Sequence, residues 1–311
     1  MVGALMRKLL TRASAALFFL YLVVSISGGV YLAEITVHLP RRPITHTEIA
    51  RRVVMTEFHA ELQNVSITAN DGAILRGWFV EPEHANGSAV ILLHGVTDNR
   101  EGMGGFARLF LHNGYSVLLP DSRAHGVSGG QLATYGVLER DDIHRWVSWL
   151  YDEHRPRCVY GMGESLGAAI LVQSLAVEPR FCGAIAESPF ATFRDGAYSK
   201  FSEISHLGLW FGKTLGRPMI ETGLLYARLR YKIDLTQADP SYAVAHSSVP
   251  LLLIHGGADR NIFPVNSEKL HRIDTSHSEL WEVPGALHTG AWSRDPRQFE
   301  SRVLQWCAMH N

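Results

Sequence analysis

The run Cys158-Val159-Tyr160-Gly161-Met162-Gly163-Glu164-Ser165-Leu166-Gly167-Ala168-Ala169 decides the fold. It opens as an apolar strand, turns through Gly-x-Ser-x-Gly and closes into a helix of small residues. A turn this sharp holds its serine in a strained backbone conformation and exposes Oγ at the rim of the sheet. Side chains at 163 and 167 would meet neighbouring backbone, which is why glycine stands at both. The helix that starts after Ser165 aims its first amides and the positive end of its dipole at any oxyanion formed there. The pentapeptide alone is common by chance; its setting between strand and helix carries the weight.

A serine hydroxyl is a weak nucleophile without a base, so a histidine is expected later in the chain. His288 fits, in Pro284-Gly285-Ala286-Leu287-His288-Thr289-Gly290, after the last apolar run and before the last helical period. His94 and His255 end strands before glycines and are better suited to bonding local backbone. The acid is expected after the penultimate strand, where Asp259 stands in a loop able to hold the second ring nitrogen of His288. Glu187, at the end of the preceding strand, is the rival; Asp239 and Asp295 look like caps. The loop Leu92-Leu93-His94-Gly95-Val96-Thr97 supplies a second oxyanion donor, the amide of Val96, to work with the amide of Leu166. The stretch 121–130 is expected to be a rigid turn beneath the site.

Outward from this site, apolar runs at 62–69, 74–80, 89–93, 115–119, 158–160, 183–186, 249–254 and 278–283 predict eight strands. The first two flank Asn70-Asp71-Gly72, a hairpin signal. Helical periods fall at 102–112, 137–151, 166–176, 265–273 and 296–309. An opening hairpin followed by alternating strand and helix implies an α/β fold: a mainly parallel sheet with helices on both faces. About sixty residues, 190–248, interrupt the alternation with a helical pattern and are expected to form a cap over the strand ends. Its apolar residues, which include Phe201, Leu207, Leu209 and Leu224, have two roles open to them. Burial against the core is favoured, and a substrate wall that includes Phe190, Trp210 and Phe211 is the alternative.

Residues 13–33 contain no charge, and a helix of about 20 residues matches a roughly 30 Å hydrocarbon core. We expect a basic tail (1–12), a membrane anchor (13–33), a linker (34–61) and one large domain (62–311). The alternative is a cleaved secretory signal, with Arg7, Lys8 and Arg12 as its basic region. The short basic tail favours tail inside and domain on the non-cytoplasmic side. With 311 residues and 46% hydrophobic content the chain is long and apolar enough for a large core. Lys plus Arg (29) balance Asp plus Glu (30), so no basic surplus is present for nucleic acid. Cys158, Cys182 and Cys307 show no Cys-x-x-Cys spacing and no His-Glu-x-x-His occurs, so no metal site is expected. Cys158 and Cys182 open neighbouring strands; two separate buried thiols are favoured over a bond between them.

In His94-Gly95, 121–130, Gly163 to Gly167, 255–264 and Gly285 to His288, taken in that order, the chain resembles the α/β-hydrolase superfamily. The likeness lies with its serine-hydrolase branch of esterases, thioesterases and serine aminopeptidase-like members, and covers residue 62 to the C-terminus. The resemblance implies Ser165 as nucleophile, Asp259 as acid, His288 as base and Val96 plus Leu166 as oxyanion amides. His94-Gly95-Val96-Thr97 stands where many lipases carry His-Gly-Gly-Gly, which argues against a bulky-alcohol lipase. The expectation is a membrane-anchored hydrolase of small or lipid-like acyl esters or thioesters, needing no cofactor. A peptidase on the same machinery and a catalytically idle binding protein on the same fold are the alternatives.

Overall fold

The computed structural model describes residues 2–311. Helix α1 (Val2–Val37) is followed by α2 (Thr47–Phe58) and then by the hairpin strands β1 (Gln63–Thr68) and β2 (Ile74–Val80). The hairpin closes at Gly72, whose positive φ of 84° suits glycine. Next come β3 (Ser88–Leu93), α3 (Gly104–His112), β4 (Ser116–Pro120), α4 (Glu139–Glu153), β5 (Cys158–Glu164), α5 (Leu166–Ser174) and β6 (Phe181–Glu187). The insertion holds α6 (Phe193–Ser205), α7 (Gly208–Lys213), α8 (Arg217–Tyr231) and α9 (Pro240–Ala245). The chain ends with β7 (Leu251–Gly256), α10 (Val265–Ile273), β8 (Ser278–Val283), α11 (Ala291–Arg294) and α12 (Pro296–Met309).

The eight strands form one sheet in the order β1-β2-β4-β3-β5-β6-β7-β8. Only the β1–β2 and β2–β4 pairs are antiparallel. Strand side chains alternate between two buried layers. Ala89, Ile91 and Leu93 pack with α4, α5 and α10 on one face. Val90 and Leu92 pack with α3 and α12 on the other. All six residues of β3, and of β7, are buried, as expected of strands with helices on both sides. The parallel strands therefore end together, and the loops after β3, β5, β7 and β8 meet along one rim.

Three expectations about organisation change. The apolar N-terminal segment belongs to a helix running from Val2 to Val37, so residues 2–12 are helical rather than a separate tail. From Tyr21 onward its inner seam lies on α8: Ser25, Gly29, Ala33 and Val37 are buried, four residues apart. Residues 34–61 are not a linker, because they hold the end of α1 and all of α2, whose Val54 and Phe58 are buried on the sheet. Arg41 in this stretch donates to the carbonyls of Gly126, Ser128 and Gly130. Within 190–248 only α6, α7 and α8 form the cap; α9 returns to the main layer against α5.

Cys158 and Cys182 are joined by a disulfide, contrary to the favoured expectation of two separate thiols. Their Cα atoms lie 5.8 Å apart, within the usual range for a bridge, because β5 and β6 are neighbours and both residues sit at the strand starts. Cys307 is free and buried.

Candidate active site

Ser165 sits between β5 and α5 with φ 50° and ψ −112°, a sparsely populated conformation for a residue with a side chain. The turn is tight enough that a Cβ at 163 would lie 2.6 Å from Gly167 backbone. A Cβ at 167 would lie 2.2 Å from the Leu93 carbonyl oxygen. The Ser165 amide donates to the Glu187 carbonyl at 2.8 Å, fixing the turn to the next strand.

His288 lies in the loop after β8, and its Nε2 is 2.8 Å from Ser165 Oγ. Its Nδ1 is 2.7 Å from Asp259 Oδ2. With Nδ1–H donating to the carboxylate, Nε2 is free to accept from the serine hydroxyl. Asp259 follows β7 and is itself held, its Oδ1 accepting from the amides of Asn261 at 2.9 Å and Ile262 at 3.0 Å. Burial acts to raise the Asp259 carboxyl, but hydrogen bonds from His255 and His288 outweigh it and hold the group well below the usual carboxylate range. The acid therefore stays ionised at neutral pH.

Around this trio the loop after β3 runs close to the serine: a Cβ at Gly95 would lie 3.8 Å from Ser165 Cβ. Neither the Val96 nor the Leu166 amide donates to a protein acceptor among the described residues. His94 fixes the start of that loop. Its Nδ1–H donates to the Gly95 carbonyl at 2.8 Å, and its Nε2 accepts from the Ser122 amide at 3.1 Å. Burial, together with the neighbouring His125, pushes its pKa down to about 4, so it works as a neutral bracket. The 121–130 turn is braced as expected. The Asp121 carboxylate accepts from Arg100 Nε at 3.0 Å and Nη2 at 2.7 Å, and from the Val127 amide at 2.9 Å.

The three members of the alternative substrate wall, Phe190, Trp210 and Phe211, stand in different settings. Phe190 is buried in the core. Phe211 stacks on Phe201 within the cap, and Trp210 is 69% exposed on α7.

One pair of groups escaped the sequence argument. Glu164 and Glu187 are register partners across the β5–β6 ladder, directly behind the serine. Burial, then repulsion from Glu187, pushes Glu164 up to about 8. Burial also pushes Glu187 up to about 7. Glu187 Oε1 accepts from the Ala291 amide at 2.9 Å, tying down the segment that follows His288, whereas Oε2 has no partner among the described residues. As a sequence feature Glu187 stands only as a rival acid for the trio. The available signal was an acid ending each of two adjacent apolar strands.

The family described as serine aminopeptidase S33 matches residues 84–240, half of the chain. Among curated relatives, YqkD of Bacillus subtilis (strain 168), uncharacterized, is 28% identical over 241 residues, covering 76% of this chain and 75% of its own. YfhR of Escherichia coli (strain K12), also uncharacterized, is 26% identical over 239 residues, 74% and 75% of the two chains. A solved structure of the Pyrococcus furiosus esterase Pf2001 is 25% identical, with a TM-score of 0.68 over 87% of this chain and 98% of that one. The α/β hydrolase GrgF of a Penicillium species shares the fold at a TM-score of 0.61 and 18% identity, covering 80% and 98%.

Proposed function

This chain belongs to the serine aminopeptidase S33 family of α/β hydrolases, and from that premise we propose that it cleaves carboxylic esters or thioesters through an acyl-Ser165 intermediate. The observation that carries the proposal is the continuous hydrogen-bond line from Ser165 Oγ through the His288 ring to Asp259. Ser165 Oγ attacks the acyl carbon and gives its proton to His288 Nε2. The amides of Val96 and Leu166 hold the oxyanion of the tetrahedral intermediate. As the intermediate collapses, the bond to the leaving oxygen or sulfur breaks and the leaving group takes the proton from Nε2. Water then attacks the acyl-serine carbonyl, passing its proton to Nε2. The acid departs as Oγ regains that proton. Asp259 stays charged throughout and stabilises the imidazolium. This sequence uses no metal or organic cofactor.

Ser165→Ala is expected to lower kcat on p-nitrophenyl esters by about 10⁴ to 10⁶ with unchanged folding. A fluorophosphonate probe is expected to label the protein and to lose its target in the variant. Labelling that persists unchanged in Ser165→Ala would refute the acyl-serine step.

The family description favours a second reading, an amino-terminal peptidase with the same three residues. The likeness to an esterase at 25% identity favours the ester reading. Aminoacyl amides tested beside p-nitrophenyl esters separate the two, because a poor amine leaving group needs protonation that an activated phenolate does not. We also infer that α1 anchors the domain in a membrane with the domain on the non-cytoplasmic side. The Cys158–Cys182 bridge supports this side, since such bonds persist in oxidising compartments.

A further inference from the structure

We propose that the outer edge of the cap, residues 204–217, is a second membrane contact that seats the domain on the bilayer surface beside α1. The inference rests on α1 being an anchor, and begins with its length. The part of α1 that is free of charge and clear of the cap runs from 13 to 20, about 12 Å at ~1.5 Å per residue. A hydrocarbon core is roughly 30 Å thick. The rest of the uncharged stretch, from Tyr21, already lies against the cap, so a bilayer covering it takes in the cap surface alongside.

The two helices run in the same direction. Tyr21 bonds the Leu215 carbonyl at 2.8 Å, Gly29 meets Thr222 and Gly223, and Glu34 accepts from Tyr226 and Tyr231 at 2.6 Å. The end of the cap nearest the free part of α1 is therefore α7, with the turn that leads into α8. That end carries a run of exposed apolar side chains. Ile204, Leu207, Trp210 and Leu215 are 64%, 59%, 69% and 52% exposed. No acidic residue occurs from 204 to 220, whereas Lys213 and Arg217 are both exposed there. Apolar side chains flanked by Lys213, with Arg217 beside them 3.9 Å from Glu221, suit the boundary between acyl chains and anionic headgroups. Trp210 has the amphipathic ring enriched at that depth. The same strip on a water-facing cap would be a poorly solvated patch.

The test uses the full chain reconstituted in vesicles of phosphatidylcholine and phosphatidylglycerol that contain nitroxide-labelled lipid. An environment-sensitive fluorophore is attached singly through Phe19→Cys, Leu207→Cys, Leu215→Cys or Met309→Cys. The native cysteines are bridged or buried, so the label reports only the new site. Hydrolysis of a water-soluble ester checks that each variant is folded. Positions 207 and 215 are expected to show at least about half the quenching of position 19, as befits residues roughly 5–10 Å into the boundary. Position 309, at the far end of the sheet, is expected to show none. Adding Lys213→Glu and Arg217→Glu to Leu207→Cys is expected to lower its quenching about twofold or more, and added salt to do likewise. Quenching at 19 with none at 207 and 215 overturns the cap contact and leaves the anchor standing. No quenching at 19 overturns both, while ester hydrolysis still reports independently on Ser165.

Discussion

Asp259 stands between two imidazoles. Oδ2 receives Nδ1 of His288 at 2.7 Å and faces Nε2 of His255 at 3.3 Å. The His255 Nε2–H also donates to the Ile262 carbonyl at 2.8 Å, so its Nδ1 accepts the Ser267 hydroxyl at 2.6 Å. His255 thus steadies the acid. Asp259→Asn is expected to keep this geometry but favour the wrong His288 tautomer, lowering kcat by about 10⁴ on the ester assay. The two glutamates, Glu187 buried and Glu164 half-buried, act in the opposite sense. A carboxyl whose folded pKa exceeds its unfolded value holds a proton that the unfolded chain releases. The stability it lends is present below about 4.5 and is lost as pH rises toward the folded values of about 7 and about 8. Glu164→Gln is therefore expected to raise Tm at pH 8 by about 2–4 °C, the shift that ~1 kcal/mol gives in a domain of this size. The gain should vanish at pH 4.5 in the same thermal melts. An unchanged difference between the two pH values would show that Glu164 is ionised in the fold. The trio was legible from residue type and strand order, because each member ends a strand that the apolar pattern marks. Glu164 and Glu187 were not legible as a pair, since their meeting depends on the register between the two strands, which apolar runs do not specify.

Among the elements, the β5–α5 turn is the most constrained. Gly167→Ala would drive a Cβ against the Leu93 and His94 carbonyls, and backbone cannot yield there as a flexible side chain could. Loss of soluble, labelled protein is the expected outcome, measured by fluorophosphonate labelling per mole folded. The Cys158–Cys182 bridge closes a separation of 24 residues. Under the chain-entropy account, Cys158→Ser is expected to cost about 3 kcal/mol, read as a lower urea midpoint at unchanged slope. Thiol counting on unfolded, unreduced protein should find one free group, Cys307, and three after reduction; three at the outset would refute the bond. The strands and the five helices of the main layers were legible because burial on one or two faces writes a period into the sequence. The register that sets two cysteines 5.8 Å apart was not, because an apolar run specifies burial but not which residues of the neighbouring strand stand opposite.

At the scale of the whole molecule, α1 is both a candidate anchor and a wall of the cap. Val37 is buried with Ile220, Leu224 and Ala227. A cavity of about 110 Å³ lies between Leu32, Ala33, Phe193, Phe201 and Ile220. Deleting residues 2–20, of which 3–20 are exposed throughout, is expected to release the protein from membranes with ester hydrolysis kept within about twofold. Deleting 2–37 strips the seam from α8 and is expected to lower Tm and promote aggregation, because it bares a contiguous apolar face. Equal stability of the two truncations would show that the cap holds itself together. By itself the sequence determined the α/β layering, the hairpin at its start, the helical insertion and the order of Ser165, Asp259 and His288. All of these follow from local period, turn chemistry and the position of polar residues at strand ends. Only the tertiary structure decided the disulfide, the carboxylate pair, the packing of α1 on α8 and the scattering of Phe190, Trp210 and Phe211. Each of those is a contact between segments far apart in the chain, and local preference carries no information about which distant surface a segment will meet.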